Sequence, residues 1–209
     1  MSRVIAFSGG CFSGKTTTMK IVKEQLESAG YKVTVLDEII RTVTDEPIDK
    51  IRKNPSAYLD LQEKIITAKI EQELKAFEED SNTIYLADRA ITDSLFYLQN
   101  YVDKSNLTPD ETTRFCALHK YIVRHAKIAF GEFGYYTVIE FKPLNGKNAD
   151  KYRPDVIDVS KVYEYDAISL LNQAFRGIVP FWYVDLNKDS VHMLVDSIKY
   201  LLSKSKIEL

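Results

Sequence analysis

The stretch Gly9-Gly10-Cys11-Phe12-Ser13-Gly14-Lys15-Thr16-Thr17 constrains this 209-residue chain more than any other. It follows an apolar run, Val4-Ile5-Ala6-Phe7, and two of its glycines bracket four variable residues before a lysine and a hydroxyl. Glycines let successive backbone N–H groups turn inward around an anion, where side chains would obstruct. A helix that starts at the loop adds its positive N-terminal end. In such a loop Gly9 to Thr17 cradle the phosphates of ATP, Lys15 reaches the β- and γ-phosphates, and the Thr16 hydroxyl binds Mg2+. With glycine near 7% of residues, a chance match in a chain of this length is on the order of one per cent. The stretch therefore predicts strand, phosphate loop and helix in succession.

The rest of the chain keeps that rhythm. From Lys15 to Ser28, Met19, Val22 and Leu26 recur at helical spacing, and Gly30 supplies the stop. Lys32 to Leu36 reads as a second strand. Asn54-Pro55 is an N-cap followed by proline at the first helical position, opening a helix that carries Tyr58, Leu61, Ile65, Ile66 and Leu74. Thr83 to Ala87 is a third strand, and a helix follows Asp88-Arg89. Thr108-Pro109-Asp110-Glu111 is a capping-box start to a helix running towards Phe130. Tyr136 to Phe141 is strand four, and Asn145 to Asp158 is a polar loop. A helix from Lys161 to Phe175 precedes strand five, Phe181 to Leu186, and a last helix holds Val191, Leu194, Val195, Ile198 and Leu201. Short apolar strands alternating with amphipathic helices predict an α/β fold, a doubly wound five-stranded parallel sheet flanked by helices. One domain over residues 1–209 is expected, with no repeats or linkers.

Composition narrows the partners. The net charge is -2 and the pI about 6.0, so no chain-wide positive field recruits nucleic acid or anionic lipid. Cys11 and Cys116 lack metal or disulfide spacing. No charged leader precedes a long apolar core and no stretch matches a membrane span, so a cytoplasmic protein without a membrane partner is expected.

A GTPase-like switch would carry D-x-x-G after a strand and N-K-x-D later. No D-x-x-G occurs, and Asn187-Lys188-Asp189 brings its aspartate one residue early. Asp88-Arg89 points instead to a kinase. Strand three delivers both to the carboxyl edge of the sheet, where ligands bind in open α/β folds. The stretch Asp88 to Tyr97, DRAITDSLFY, resembles the D-R-x-x-x-S-S-x-x-Y segment of thymidylate kinases and, more loosely, the D/E-R-S segment of deoxynucleoside kinases. Asp88, Arg89, Ser94 and Tyr97 coincide, and Asp93 stands where the first serine would be. A second resemblance is to the kinase-like AAA group that includes nicotinamide riboside kinases, on Val35 to Arg41, VLDEIIR, where Glu38 and Arg41 follow strand two.

These resemblances imply that Arg89 grips the acceptor and that Asp88 positions Mg2+ or its water. They also imply a lid over residues 144–158, in which Lys147 and Arg153 carry charge to the transferring phosphoryl group. Gln62 matches the glutamine that nucleoside kinases place against the base. The arginine that thymidylate kinases carry a few residues further on is replaced by Thr67 to Lys69.

The acceptor decides what Glu38 does. A hydroxyl needs a general base, a task Glu38 can fill, whereas a monophosphate is already ionised and needs cations alone. Glu38 can also hold a sugar hydroxyl or neutralise Arg41. The leading expectation is transfer to a deoxynucleoside monophosphate, with a free nucleoside or a hydroxymethylated pyrimidine in DNA as alternatives. DNA would need a basic face, for which Arg114, His119, Lys120, Arg124, His125 and Lys127 cluster on one helix. A P-loop ATPase or switch without transfer is a further alternative, and a homodimer is compatible with the sequence.

Overall fold

Every residue of β1 (Arg3–Ser8) after the first is buried. Val4 and Ala6 belong to one hydrophobic cluster, Ile5 and Phe7 to a second. A strand buried on both faces needs helices on both sides. The computed structural model describes residues 3–10, 13–79, 82–102, 106–142, 158–177, 179–184 and 190–204. Within them β1, β2 (Lys32–Leu36), β3 (Thr83–Asp88), β4 (Tyr135–Phe141) and β5 (Phe181–Val184) form one sheet in the order β2-β3-β1-β4-β5. All four pairings are parallel, as the strand–helix alternation predicts.

Eight helices lie among the described residues: α1 (Lys15–Ser28), α2 (Ile40–Val43), α3 (Ile48–Ile51), α4 (Pro55–Glu78), α5 (Ile91–Tyr101), α6 (Pro109–Ala129), α7 (Asp158–Phe175) and α8 (Ser190–Lys204). Met19, Val22 and Leu26 of α1 join Leu194, Val195, Ile198 and Leu202 of α8 on the Ile5–Phe7 face. Leu59, Ile66 and Ile70 of α4, Ile91 and Leu95 of α5, and Ile122 and Ala126 of α6 cover the other face. Each fully buried Leu, Ile or Val contributes about 1.5–3 kcal/mol. Because α1 follows β1 on one face and α5 follows β3 on the other, a crevice opens between the carboxyl ends of these neighbouring strands. Phe7 pairs with Asp88 and Ser8 with Glu140, so the phosphate loop, Asp88-Arg89 and Glu140 share one edge.

Local signals fix the helix ends. Asn54 accepts from the Ala57 amide at 3.2 Å with Pro55 at the first turn, and both halves of the Thr108–Glu111 capping box are present. Gly30, at φ 86, ends α1 and lets the Tyr31 amide reach the Leu26 carbonyl at 3.1 Å. The expected boundaries of α1 and β2 match. β4 starts one residue earlier than expected and α7 three residues earlier. The end of the expected fifth strand, 185–186, lies outside the described residues. The single-turn helices α2 and α3 were not expected, because four residues are too few to display a period. Their Val43, Ile48 and Ile51 pack on the α4 side of the core. No helix among the described residues is long and apolar enough to cross a membrane.

Candidate active site

The loop after β1 takes backbone conformations that its glycines permit. Gly9 has φ 134 and Gly14, the residue before α1, has φ 82. A Cβ on Gly9 would stand 2.7 Å from the Phe141 carbonyl oxygen. Gly9→Ala should therefore cost about 1–3 kcal/mol, read as a lowered midpoint in thermal unfolding; an unchanged midpoint would show that the loop tolerates a side chain there. Lys15 is 6% exposed, and its Nζ donates to the carbonyls of Gly9 (2.8 Å) and Gly10 (2.6 Å) and to Ser13 Oγ (3.1 Å). The ammonium is thus held within the loop. Thr16 Oγ1 donates to Asp88 Oδ2 at 3.0 Å, which brings together a hydroxyl from α1 and a carboxylate from β3. Thr17 is exposed beside it. Cys11 and Phe12 lie outside the described residues.

Arg89 has φ 77, a left-handed conformation that costs a non-glycine residue about 1–3 kcal/mol. Its amide donates to the Phe7 carbonyl at 3.0 Å, which ties the turn to β1. This backbone directs the side chain away from Asp88 and into a nest of acceptors. Nε meets Glu38 Oε1 at 2.8 Å, while Nη1 reaches the Gly9 carbonyl (3.1 Å), Tyr97 Oη (3.0 Å) and Asp93 Oδ2 (3.4 Å). The guanidinium lies 4.9 Å from the centre of the Tyr97 ring. Asp88 and Arg89, adjacent in sequence, therefore face different partners.

Asp93 is buried. It accepts from Ser8 Oγ at 2.5 Å and from the Gly9 amide at 3.2 Å. Burial lifts its pKa above the ordinary carboxylate value, while the charges of Arg89 and Lys15 and the bonds from Ser8 and Gly9 offset part of that. Asn172 of α7 donates to Ser8 Oγ (2.8 Å) and to Glu140 (2.9 Å), accepts from Thr92, and Ser169 donates to Glu140 (2.8 Å). Burial lifts Glu140 as well, against the bonds from Asn172 and Ser169. The floor of the loop is thus a polar layer joining β1, β4, α5 and α7.

A second buried polar group stands behind Asp88. Lys69 Nζ donates to the Asp88 carbonyl at 3.2 Å and pairs with Glu73 at 3.2 Å. Glu73 also meets His125 Nε2 (2.7 Å) and accepts from Tyr135 Oη (2.6 Å), which in turn accepts from the Ile91 amide (2.8 Å). Sequence reasoning missed Lys69, Glu73 and Tyr135 here. The signal was present: Lys69 and Glu73 fall on the stripe of α4 that also buries Leu59, Ile66, Ile70 and Ala76.

Other expected site residues separate. Gln62 is buried on the same face of α4 as Lys69, and Tyr58 is in the core. The Arg41 side chain, Lys147, Arg153 and residues 144–157 of the expected lid lie outside what is described. The basic cluster on α6 is smaller than its sequence suggests. Arg114 is taken by Asp60 (2.6 Å) and Glu63 (2.8 Å), His119 contacts Gln99 (2.9 Å), and His125 is buried on Glu73. Lys120, Arg124 and Lys127 remain exposed.

A parallel five-stranded α/β sheet with a lysine-bearing glycine loop between β1 and α1 defines a P-loop NTPase fold. The chain belongs to the family described as AAA domain, whose model matches residues 4–129. Among solved structures it is similar to a NadR protein in complex with NAD and AMP-PNP, at 13% identity and a TM-score of 0.66. It is also similar to a NadR protein in complex with NR, at 14% identity and a TM-score of 0.69. Both alignments cover 97% of this chain but 50% and 52% of the other, so the chain spans about half their length. At this identity the likeness is one of fold. No curated protein matches.

Proposed function

We propose that the chain is a kinase, acting as one domain, that transfers the γ-phosphate of ATP to a small nucleoside or nucleotide. One observation carries this reading. The Gly9 carbonyl accepts from Lys15 Nζ at 2.8 Å and from Arg89 Nη1 at 3.1 Å. The phosphate-loop lysine and the arginine that the resemblance assigns to the acceptor thus meet at one peptide, an arrangement that supports transfer between two bound ligands. The NadR structure of the same fold that holds AMP-PNP supports the ATP assignment.

In this reading Lys15 and the loop amides that follow Gly9, as far as Thr17, bind phosphate oxygens, while the Gly9 amide stays on Asp93. Thr16 and Asp88 offer two hard oxygens on one edge, a donor set that suits Mg2+. The metal, when bound, offsets charge on the phosphate oxygens. Arg89 orients the acceptor, with Gln62 and Arg41 as further contacts, and Arg153 completes the charge from the lid.

Two carboxylates, Glu38 and Asp93, hold the guanidinium of Arg89. With the Arg89 charge offset by Glu38, the acceptor can be an uncharged hydroxyl, and Glu38 is then the general base. The likeness of Asp88–Tyr97 to thymidylate kinases favours the second reading, a deoxynucleoside monophosphate, in which Glu38 only positions Arg89. Arg89→Ala should lower kcat/KM for the acceptor by about 100-fold or more while the ATP Kd moves about threefold at most. Equal loss of both would remove the acceptor role.

A further inference from the structure

The strained turn that aims Asp88 and Arg89 is bracketed from below. The carbonyl just before Arg89, that of Asp88, accepts from Lys69 Nζ at 3.2 Å. The amide two residues after Arg89, that of Ile91, donates to Tyr135 Oη at 2.8 Å. Both arms end on one carboxylate: Lys69 pairs with Glu73 Oε1 at 3.2 Å, and Tyr135 donates to the same oxygen at 2.6 Å. His125 Nε2 closes the group at 2.7 Å from Glu73 Oε2. Glu73 is 0% exposed and lies on α4, remote in sequence from the turn it serves.

A buried ion pair is a poor way to stabilise a core when apolar side chains of similar volume can do as well or better. Ile66, Ile70 and Ala76 show that this face of α4 packs well with apolar residues. The charges at Lys69 and Glu73 have a different use. They are directional, and both directions converge on Arg89, a non-glycine residue at φ 77. A left-handed residue stays so only where its surroundings over-determine it. One end of the turn needs a donor and the other an acceptor, and the carboxylate of Glu73 orients both.

We propose that Glu73 is a positioning residue: through Lys69 and Tyr135 it holds the Asp88–Ile91 turn so that the Asp88 carboxylate and the Arg89 guanidinium keep the geometry phosphoryl transfer needs. The proposal rests on the kinase reading and adds residues that touch neither ATP nor acceptor. Burial opposes the charge on Glu73, but Lys69, His125 and Tyr135 outweigh it and hold the pKa below the ordinary carboxylate value, so the carboxylate is ionised at neutral pH.

The test uses the full chain with Tyr135→Phe, which removes the hydroxyl of one arm and keeps the ring, and Lys69→Met, which removes the other and keeps the stem. Each should lower kcat for the acceptor by about 10–100-fold, the range for residues that orient a catalytic group from behind. The ATP Kd should stay within about threefold of wild type, and Lys69→Arg should recover part of the rate. Leu202→Ala, on the opposite face, serves as a stability control: it should lower the thermal midpoint and leave kcat unchanged. A wild-type kcat in Tyr135→Phe, or an equal loss of kcat in Leu202→Ala, overturns the proposal. Amide exchange supplies a readout free of activity and decides the matter if a variant is poorly folded. In mild denaturant, wild-type Ile91 should exchange together with Glu73 and Tyr135, and earlier exchange of Ile91 alone overturns the bracket. Absence of ADP release from the wild type with any acceptor would instead sink the kinase reading, and exchange would still show whether Glu73 holds the turn.

Discussion

On the kinase reading, replacing Lys15 with alanine will lower phosphoryl transfer by about three orders of magnitude while the sheet stays folded. The reason is placement. The ammonium sits inside the loop on the carbonyls of Gly9 and Gly10, in a site almost closed to water, where a charge acts more strongly than in solvent. Phosphate oxygens can take over those bonds, and charge that develops between donor and acceptor is then met by a cation already in place. Loss of the side chain removes that term from the transition state. The structural cost is small, about 1 kcal/mol for the hydrogen bonds lost, because Arg89 still donates to Gly9. Single-turnover kinetics with a saturating acceptor reads the rate, and circular dichroism reads the fold. A folded Lys15→Ala variant with near-wild-type transfer would mean that the loop is not the phosphate cradle.

The largest loss of stability is expected at Glu73→Ala, about 3–5 kcal/mol. Alanine leaves Lys69 and His125 buried without their carboxylate and removes the acceptor of the Tyr135 hydroxyl. In a chain of this size that corresponds to a fall in Tm of about 6–20 °C. The pH dependence has a defined sign. The Glu73 pKa is lowered in the folded chain: burial pushes it up, but the Lys69 charge, His125 and Tyr135 push it further down. Its contribution is therefore present above the ordinary glutamate pKa and is lost as pH falls through the folded value. Urea unfolding between neutral pH and pH 3 should show an acid limb in the wild type that Glu73→Ala flattens. A variant as stable as the wild type would show that Lys69 and His125 do not depend on the Glu73 carboxylate for their burial.

Much of this was legible because the signals are local. Gly9 to Thr17 predicts strand, loop and helix within twenty residues, and Asn54-Pro55 and Thr108 to Glu111 mark helix starts by bonds that span three residues. Strand alternation then gives the parallel sheet. The partners within the site were not legible in the same way. Arg89 meets Glu38 51 positions away, and Asn172 meets Ser8 at a separation of 164. No periodicity encodes such pairings. Asp93, which stands where the thymidylate kinase segment has its first serine, proves buried, since a carboxylate beneath a glycine loop is satisfied by Ser8, Gly9 and Arg89. His125 reads as part of a basic face for the same reason, and the Glu73 carboxylate across the helix pair draws it inside.

Release of ADP from Mg-ATP, measured against nucleosides, the deoxynucleoside monophosphates and duplex DNA with and without hydroxymethylated pyrimidines, tests the central claim most directly. Stimulation by a nucleoside or a monophosphate, with the phosphorylated product recovered, is the predicted result. A rate indifferent to every acceptor would contradict it and leave the chain an ATPase or a switch.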